Sequence, residues 1–399
     1  MKNLVKKYLL GLCAITLMAG FVACSDDDDE KKKTTGENDE YLKEVMNSYV
    51  NTTIVPTYKE LAESALQMRT ANEALKKEAT DANMKAASDA WMRARIAWEL
   101  NEAFLFGPIG ENGFDIDGHV DDWPLELVDI QKTLNEEGLG MTGKKAWNME
   151  GNLIGFHVTE YLLYRDGKSR PAADLTQAEL HYLTAATDAL VWDCIMAYVA
   201  WVGEDNVTSE MKKVFRENED VVTHFGRSST YQNFAKRMTR EDPNTQYNTW
   251  ENAAMEIVDG AVTIAEEVGT QKIESPYING LVEEVESWYS WHSLDDYQNN
   301  IHSIKNAYLG GKGINGTRSE KSLSTFVKEQ NAELDTKIKN QIETCIQKIQ
   351  AIGQGGKSFY EVVRDKKNGD ASMATVVDDA VKACLKLAED FKQVNDLLQ

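Results

Sequence analysis

The sequence predicts an all-α fold built of two helical-bundle-like domains. Apolar residues recur at steps of three and four over 333–353 and again over 375–398, which places one apolar stripe on each helix. No segment shows the alternation of apolar and polar residues that is typical of a half-buried strand. Helices of this kind bury their stripes against one another, so antiparallel bundles are expected.

The other helices are assigned from the same periodicity. Pro56 is expected to kink the first of them, because proline lacks the backbone N–H that a helix interior needs. Two stretches rich in glycine and charge, 107–122 and 310–321, are expected to be loops. In chain order, the predicted helices cover 41–78, 82–106, 148–165, 176–203, 206–219, 247–269, 276–290, 294–309 and 322–331.

A domain boundary is expected near residue 270. Gly269 should end one helix, and Ser275 followed by Pro276 is typical of the start of the next. The sequence therefore predicts an N-terminal helical domain over 41–270 and a C-terminal helical domain over 271–399.

The charge balance narrows the classes of partner. The chain carries 43 Lys and Arg against 65 Asp and Glu, a formal net charge of −22. Nucleic acid is excluded as a partner, because that role needs a basic surface. The same balance fits either a soluble acid-rich protein or a protein that binds cations.

The first 23 residues have the pattern of a signal peptide. Lysines precede an uncharged, mostly apolar stretch over 8–23, which is short for a membrane span. The stretch ends at Phe21-Val22-Ala23-Cys24, which resembles the lipobox of bacterial lipoproteins. Cys24 is therefore expected to carry lipid and to anchor the chain to a membrane. Ordinary secretory cleavage nearby is the alternative.

Residues 24–40 are expected to form an acidic flexible tether. They lack apolar periodicity, and the acidic run from Asp26 to Glu30 resembles surface-export signals of some Gram-negative lipoproteins. The expected location is the outer membrane, with the protein facing the periplasm or the cell exterior. Cys194, Cys345 and Cys384 then remain, an odd and widely spaced set that predicts buried thiols rather than a disulfide framework.

One short motif suggests a site. His157 and Glu160 lie inside an apolar segment, three residues apart, and so share one face of a helix. A buried imidazole and carboxylate need partners, and this spacing suits two ligands of one iron or zinc ion. The alternative is a pair that simply satisfies itself in the core.

A second cluster of acids precedes it. Glu99 and Glu102 also share a helical face, among aromatic residues that favour burial. Asp117 and Asp121 should lie near one another if their turn is helical. The plain alternative is a surface ion-pair network in which Arg93 and Arg95 neutralise the two glutamates.

Four segments in order resemble the imelysin-like family, whose signature is GxHxxE. They are Trp98 to Pro108, Ile116 to Pro124, Gly155 to Leu163, and Ser287 to Ile301. The likeness covers about 41–399 and departs mildly at Asn101, where many relatives carry Ser. It implies an all-helical, two-domain envelope protein linked to iron uptake. It also implies that His157 and Glu160 hold metal, with recurring acids at Glu99, Glu102, Asp117 and Asp121.

Three functions follow as hypotheses. The first is an envelope lipoprotein that binds a metal ion, with iron favoured over zinc, and that works with iron-uptake partner proteins. The second is a metallopeptidase of the imelysin type, which would need a further histidine such as His119 or His292 from elsewhere in the fold. The third is a metal-free module that binds haem or protein. The residues expected to line a pocket are Trp98, Trp123, Ser290 and His292.

Overall fold

The computed structural model describes residues 35–399. The predicted signal peptide, Cys24 and the tether up to residue 34 lie outside the described residues. Within them the regular secondary structure is helical, apart from one hairpin of two-residue strands, β1 (Tyr164–Arg165) and β2 (Lys168–Ser169). The predicted all-α class is confirmed.

The first helices meet at Pro56. Helix α1 (Thr35–Tyr49) continues into wide π-type turns at Val50–Ile54, and α2 (Val55–Lys77) follows with Pro56 in its first turn. Proline is tolerated there because the first N–H groups of a helix have no partner within it. The interruption expected at Pro56 is therefore a change of helix type just before the proline. Helix α3 (Asp81–Glu99) begins at an N-cap, Thr80, whose hydroxyl accepts a hydrogen bond from Asn83 N–H.

Shorter helices lead to the central one. The predicted loop over 107–122 contains one helical turn, α4 (Ile116–Val120), and the predicted helix over 148–165 is helical in its second half as α7 (Gly155–Leu163). In order, these helices are α4 (Ile116–Val120), α5 (Leu127–Glu137), α6 (Gly143–Trp147), α7 (Gly155–Leu163), α8 (Gln177–Val202), α9 (Ser209–Phe215), α10 (Glu219–Phe225) and α11 (Phe234–Met238).

Helix α8 is the central helix of the first bundle. Among the described residues it alone is long and apolar enough to cross a membrane, but 89% of its apolar window is buried inside the protein. Helices α2, α6 and α7 pack around it, and α3 packs on α2. The apolar length of α8 therefore reflects burial in a protein core on all sides.

The expected helix break at Gly269 is wrong. Helix α12 (Trp250–Glu267) continues through π-type turns at Val268–Glu274 into α13 (Ser275–Asn279). The predicted helix over 276–290 is also wrong, because α13 ends at Asn279 and the chain then runs through turns to residue 292. These turns include Ser287 and Trp291 with positive φ, which a helix cannot contain.

The second bundle joins both ends of the chain. Helix α12 packs against α1, α14 (Ser293–Leu309) and α18 (Ala374–Lys392). Helix α16 (Ala332–Ile352) packs against α14, α15 (Leu323–Gln330) and α18. Helix α14 also contacts α3 of the first bundle, which brings the two bundles together. The division near residue 270 stays a prediction. The remaining helices are α14 (Ser293–Leu309), α15 (Leu323–Gln330), α16 (Ala332–Ile352), α17 (Phe359–Lys367) and α18 (Ala374–Lys392).

The two apolar stripes at the C-terminus face each other as expected. We call the two packed faces together the apolar stripe, and its side chains are buried. Cys194, Cys345 and Cys384 are free and buried, which confirms the prediction for the thiols. The stripe consists of Ile338, Ile342, Cys345 and Ile349 of α16 with Val377, Val381, Cys384 and Leu387 of α18.

Candidate metal centre

Gly155 explains how α7 is seated. It begins the helix with φ of +75°, a backbone conformation that favours glycine, and a Cβ there would lie 2.4 Å from the Val120 carbonyl oxygen. Only glycine permits this contact between α7 and the end of α4. As a result Asp121, the next residue after Val120, lies beside His157.

His157 is buried between three carboxylates. Its Nε2 atom lies 3.1 Å from Asp121 Oδ1 and 3.9 Å from Glu286 Oε1, while its Nδ1 atom lies 3.4 Å from Glu160 Oε2. Glu160 is fixed in turn, because Oε1 accepts hydrogen bonds from the Ser290 backbone N–H at 2.8 Å and hydroxyl at 2.7 Å. The ring of Trp123 covers the imidazole, with ring centroids 4.7 Å apart.

Arg95 is the first of two buried cations in this region. Its guanidinium pairs with Glu286 at 2.8 Å and with Asp296 at 3.2 Å, and it also pairs with Glu99 and Asp121. Helix α14 supplies Asp296, and its Asn300 donates a hydrogen bond to Glu99. Arg95 therefore ties α3 to α14 and to the turns before α14.

Lys272 is the second. It projects from the π-type turns after α12, and its Nζ atom lies 3.4 Å from Glu286 Oε1, 3.7 Å from Glu102 Oε2 and 3.8 Å from Glu267 Oε1. Glu286 thus faces both cations and the imidazole. We call Arg95, Lys272, His157 and the carboxylates that face them the charged cluster.

Acids outnumber bases in the charged cluster. Six carboxylate side chains that are at most 8% exposed face three basic groups. Burial raises the pKa of Glu99 and of Glu102 well above the usual value, even though Arg95 and Lys272 act in the opposite direction. The six acids are Glu99, Glu102, Asp121, Glu160, Glu286 and Asp296.

The pairing of Asp121 with His157 shifts both groups toward their charged forms. Burial opposes charge on each side chain, and for His157 the nearby Arg95 opposes it as well. Hydrogen bonding to Asp121 and Glu160 nevertheless raises the pKa of His157 to about 9. For Asp121 the Arg95 charge and His157 outweigh burial and hold the carboxyl pKa well below its usual value.

An acidic cleft leads to the cluster. Its volume is about 680 Å³, and Lys272 lies on its wall. Asp117 also borders it, and burial together with the charge of Asp121 raises the pKa of Asp117 to about 7. The other charged or aromatic walls include Glu102, Asp121, Trp123, Glu267, Glu284 and Glu286.

Known proteins resemble this chain over most of its length. The family model for imelysin, a peptidase family, matches residues 54–391. The chain belongs to the imelysin family. It is also similar to the iron-regulated protein A of Synechococcus elongatus, with 26% identity over 350 residues that cover 87% of this chain and 86% of that protein.

Solved structures agree with the fold of this imelysin. A structure described as an iron-regulated protein A precursor from Parabacteroides distasonis is 27% identical, with a TM-score of 0.76, and the match covers 94% of this chain and 98% of that one. An imelysin-like protein from Psychrobacter arcticum shares the fold alone, at 13% identity, a TM-score of 0.61, and coverage of 90% and 95%. The predicted family is confirmed.

Most of the site residues predicted from the sequence lie close together in the structure. His157, Glu160, Glu99, Glu102 and Asp121 all belong to the charged cluster, and Asp117 lies on the wall of the cleft. Trp98 Nε1 donates a hydrogen bond to Asp121 Oδ2 at 2.7 Å, while Trp123 and Ser290 hold their places as described. That the six acidic and histidine side chains are metal ligands stays a prediction.

Two histidines point elsewhere. His119 Nδ1 pairs with Asp193 at 2.6 Å, and His292 Nδ1 pairs with Asp295 at 3.0 Å. The surface ion-pair network given as the plain alternative is not present in that form: Arg95 pairs with Glu99 and Lys272 with Glu102 in the buried cluster, and Arg93 is exposed.

Sequence reasoning missed Lys272, Glu286 and Asp296. Glu286 directly precedes the segment Ser287 to Ile301, whose likeness to the family was the available signal, and Asp296 lies inside it. Lys272 had no such signal, since it lies in the stretch that was expected to break the helix.

Two sets of three side chains bring ligand atoms within 4.8 Å of one another. One set is Asp121, His157 and Glu286, and the other is Glu99, Glu102 and Asp121. Among the described residues, Glu286 Oε2 is buried and lacks a hydrogen-bond partner, while His157 Nε2 has the Asp121 carboxylate as its nearest partner at 3.1 Å. Buried polar atoms are normally satisfied, so the free Glu286 oxygen fits a ligand of a cation.

Proposed function

We propose that this protein is an envelope lipoprotein that binds iron in bacterial iron uptake, with Asp121, His157 and Glu286 as ligands. The observation that carries the proposal is the convergence of these three ligand atoms within 4.8 Å at the buried end of an acidic cleft. One imidazole nitrogen with several carboxylate oxygens suits iron, with zinc as the alternative metal.

Glu160 has a supporting role in this proposal. It faces Nδ1 of His157 and is itself held by Ser290, so the opposite ring nitrogen, Nε2, faces Asp121 and Glu286. A carboxylate behind a metal-binding histidine sets the ring orientation and makes the imidazole a better ligand. Glu99 and Glu102 supply further oxygen atoms beside Asp121.

The relatives support an iron-related role in the envelope. Both the curated relative and a solved structure are named iron-regulated protein A, and the latter is described as a precursor. In this chain the lipobox-like segment ending at Cys24 would supply the membrane anchor.

Metal analysis tests the proposal. Mature protein purified without chelators should contain about one iron per chain on the three-ligand argument, and His157→Ala should lose it. His181→Ala, on α8 away from the cluster, is the matched control and should keep the wild-type content. The proposal fails if stripped wild-type protein takes up neither Fe(II), Fe(III) nor Zn(II) in calorimetry, or if His157→Ala binds equally well.

The metallopeptidase alternative is tested on the same samples. The cleft has a volume of about 680 Å³, but neither ligand set contains more than one imidazole, whereas hydrolytic zinc sites commonly use two or three. Metal-dependent cleavage across a peptide library, lost in His157→Ala, would favour the peptidase. If replacing both His157 and Glu160 by Ala leaves the phenotype that depends on this protein unchanged, the metal-free binding module is favoured.

A further inference from the structure

Lys272 differs from Arg95 in how its carboxylates hold it. Its nearest carboxylate oxygen, on Glu286, is 3.4 Å away, and the other two are 3.7 and 3.8 Å away. Ordinary N–H···O hydrogen bonds are shorter, about 2.7–3.2 Å. The ammonium is therefore held by charge more than by directional bonds.

Lys272 also borders the cleft, into which its side chain can move. Its side chain is 10% exposed and lines the cleft, whereas that of Arg95 is fully buried. A lysine side chain is a flexible stem that ends in a compact point charge. It can move toward the cleft without breaking the packing of the helix that carries it.

The carboxylates around Lys272 continue the ligand set. Glu286 is shared with the set of Asp121 and His157, and Glu102 with the set of Glu99 and Asp121. Glu286 Oε2 is buried and has no hydrogen-bond partner in the described part of the chain. The ammonium thus occupies the place between the two sets where a metal cation would gain further oxygen ligands.

We propose that Lys272 is a displaceable counter-cation of the metal centre. Without metal it holds Glu102, Glu267 and Glu286 together, and on metal binding its ammonium moves into the cleft while these carboxylates turn to the metal. This inference rests on the proposed function. It adds Glu267 to the oxygen ligands and makes metal binding an exchange of one cation for another, which weakens metal binding and so favours release.

The proposed exchange predicts the direction in which metal affinity changes when the Lys272 charge is removed. Lys272→Met keeps most of the stem and removes the charge that opposes the metal, so it should bind Fe(II) or Zn(II) tighter by on the order of tenfold or more. Lys144→Met, which removes an exposed pair with Asp220, is the control and should bind as wild type does. Calorimetry on chelator-stripped mature protein measures both. Unchanged or weaker binding by folded Lys272→Met overturns the inference.

A second measurement uses the wild-type protein and does not depend on the variant folding. Acetylation of Lys272 by a water-soluble acetylating reagent, read by mass spectrometry, should rise several-fold when Zn(II) is added, with Lys144 as the internal reference. Equal acetylation with and without bound Zn(II) overturns the inference. If neither wild type nor Lys272→Met binds any metal, the proposed function fails instead.

Discussion

The charged cluster and the apolar stripe are both largely buried, but they are held together in opposite ways. In the stripe, α16 and α18 bury matched apolar faces that need no further partner. In the cluster, six buried carboxyl groups face three basic groups, and burial raises the pKa of two of them, Glu99 and Glu102, well above the usual value. The stripe is complete as folded, whereas the cluster gains from a cation that the chain does not supply.

Two histidines also differ from each other because of the charges around them. His157 lies among carboxylates, which outweigh burial and the Arg95 charge and raise its pKa to about 9. His302 lies on α14, and burial together with the charges of Lys305 and Arg318 lowers its pKa to about 4 although Glu343 acts in the opposite direction. One imidazole is charged and the other neutral near pH 7, because their neighbours differ.

Removing the central cation should have the largest effect on stability. Arg95→Met leaves four carboxylates facing no guanidinium, and loss of one partner of a buried ion pair costs about 3–5 kcal/mol. Urea unfolding of metal-free protein measures this cost. Lys348→Met, which removes an exposed pair with Asp379 on the stripe side, is the control and should unfold as wild type does. Equal stability of the two variants would show that the cluster is not held together by Arg95.

A cavity in the apolar stripe should cost less and leave the metal centre alone. Ile342 is 1% exposed, and its replacement by Ala should destabilise the protein by about 2–4 kcal/mol through lost burial and an unfilled cavity. Metal affinity measured by calorimetry should match that of the wild type. A loss of affinity in Ile342→Ala would mean that the two regions are coupled.

Gly155→Ala should disturb the cluster through the backbone. The Cβ would approach the Val120 carbonyl at a positive φ, a strain of about 1–3 kcal/mol, and should move Asp121 away from His157. We expect lower thermal stability and weaker metal binding together. Gly140→Ala, where a Cβ meets nothing within 4 Å, serves as the control. The seating of α7 on α4 is not what positions Asp121 if both variants bind metal equally.

The two histidines predict a smaller, pH-dependent effect. The pKa of His302 is lowered, so the stability it contributes is complete above its unfolded value of about 6.5 and is lost as pH falls toward about 4. The pKa of His157 is raised, so its contribution is complete below about 6.5 and is lost as pH rises through about 9. NMR titration of the imidazole protons in metal-free protein measures the pKa of each histidine. Titration of either group near 6.5 would remove the contrast.

The fold was predictable where periodicity was long. The stripes of α16 and α18 and the apolar run of α8 could be assigned from the sequence, since each helix buries a regular pattern. The break at Gly269 was not predictable in its true form, because a π-type segment keeps the chain helical while changing which side chains face inward. The short helices α6, α10 and α11 carry too few turns for periodicity to identify.

The site was predictable only in part. His157 and Glu160 share a helix, and Glu99 lies one turn from Arg95, so local spacing could bring these pairs to notice. Lys272, Glu286 and Asp296 reach the same cluster from more than 100 residues further along the chain. No local pattern encodes that approach, since it depends on α14 packing against α3.

Anomalous diffraction from a crystal soaked in Fe(II) tests the central claim most directly. Data collected on both sides of the iron absorption edge locate iron without assuming a site. We expect one strong peak between His157 Nε2 and the carboxylates of Asp121 and Glu286, with Lys272 moved toward the cleft. A peak only at surface carboxylates, or none in a crystal whose protein remains folded and accessible, would contradict it.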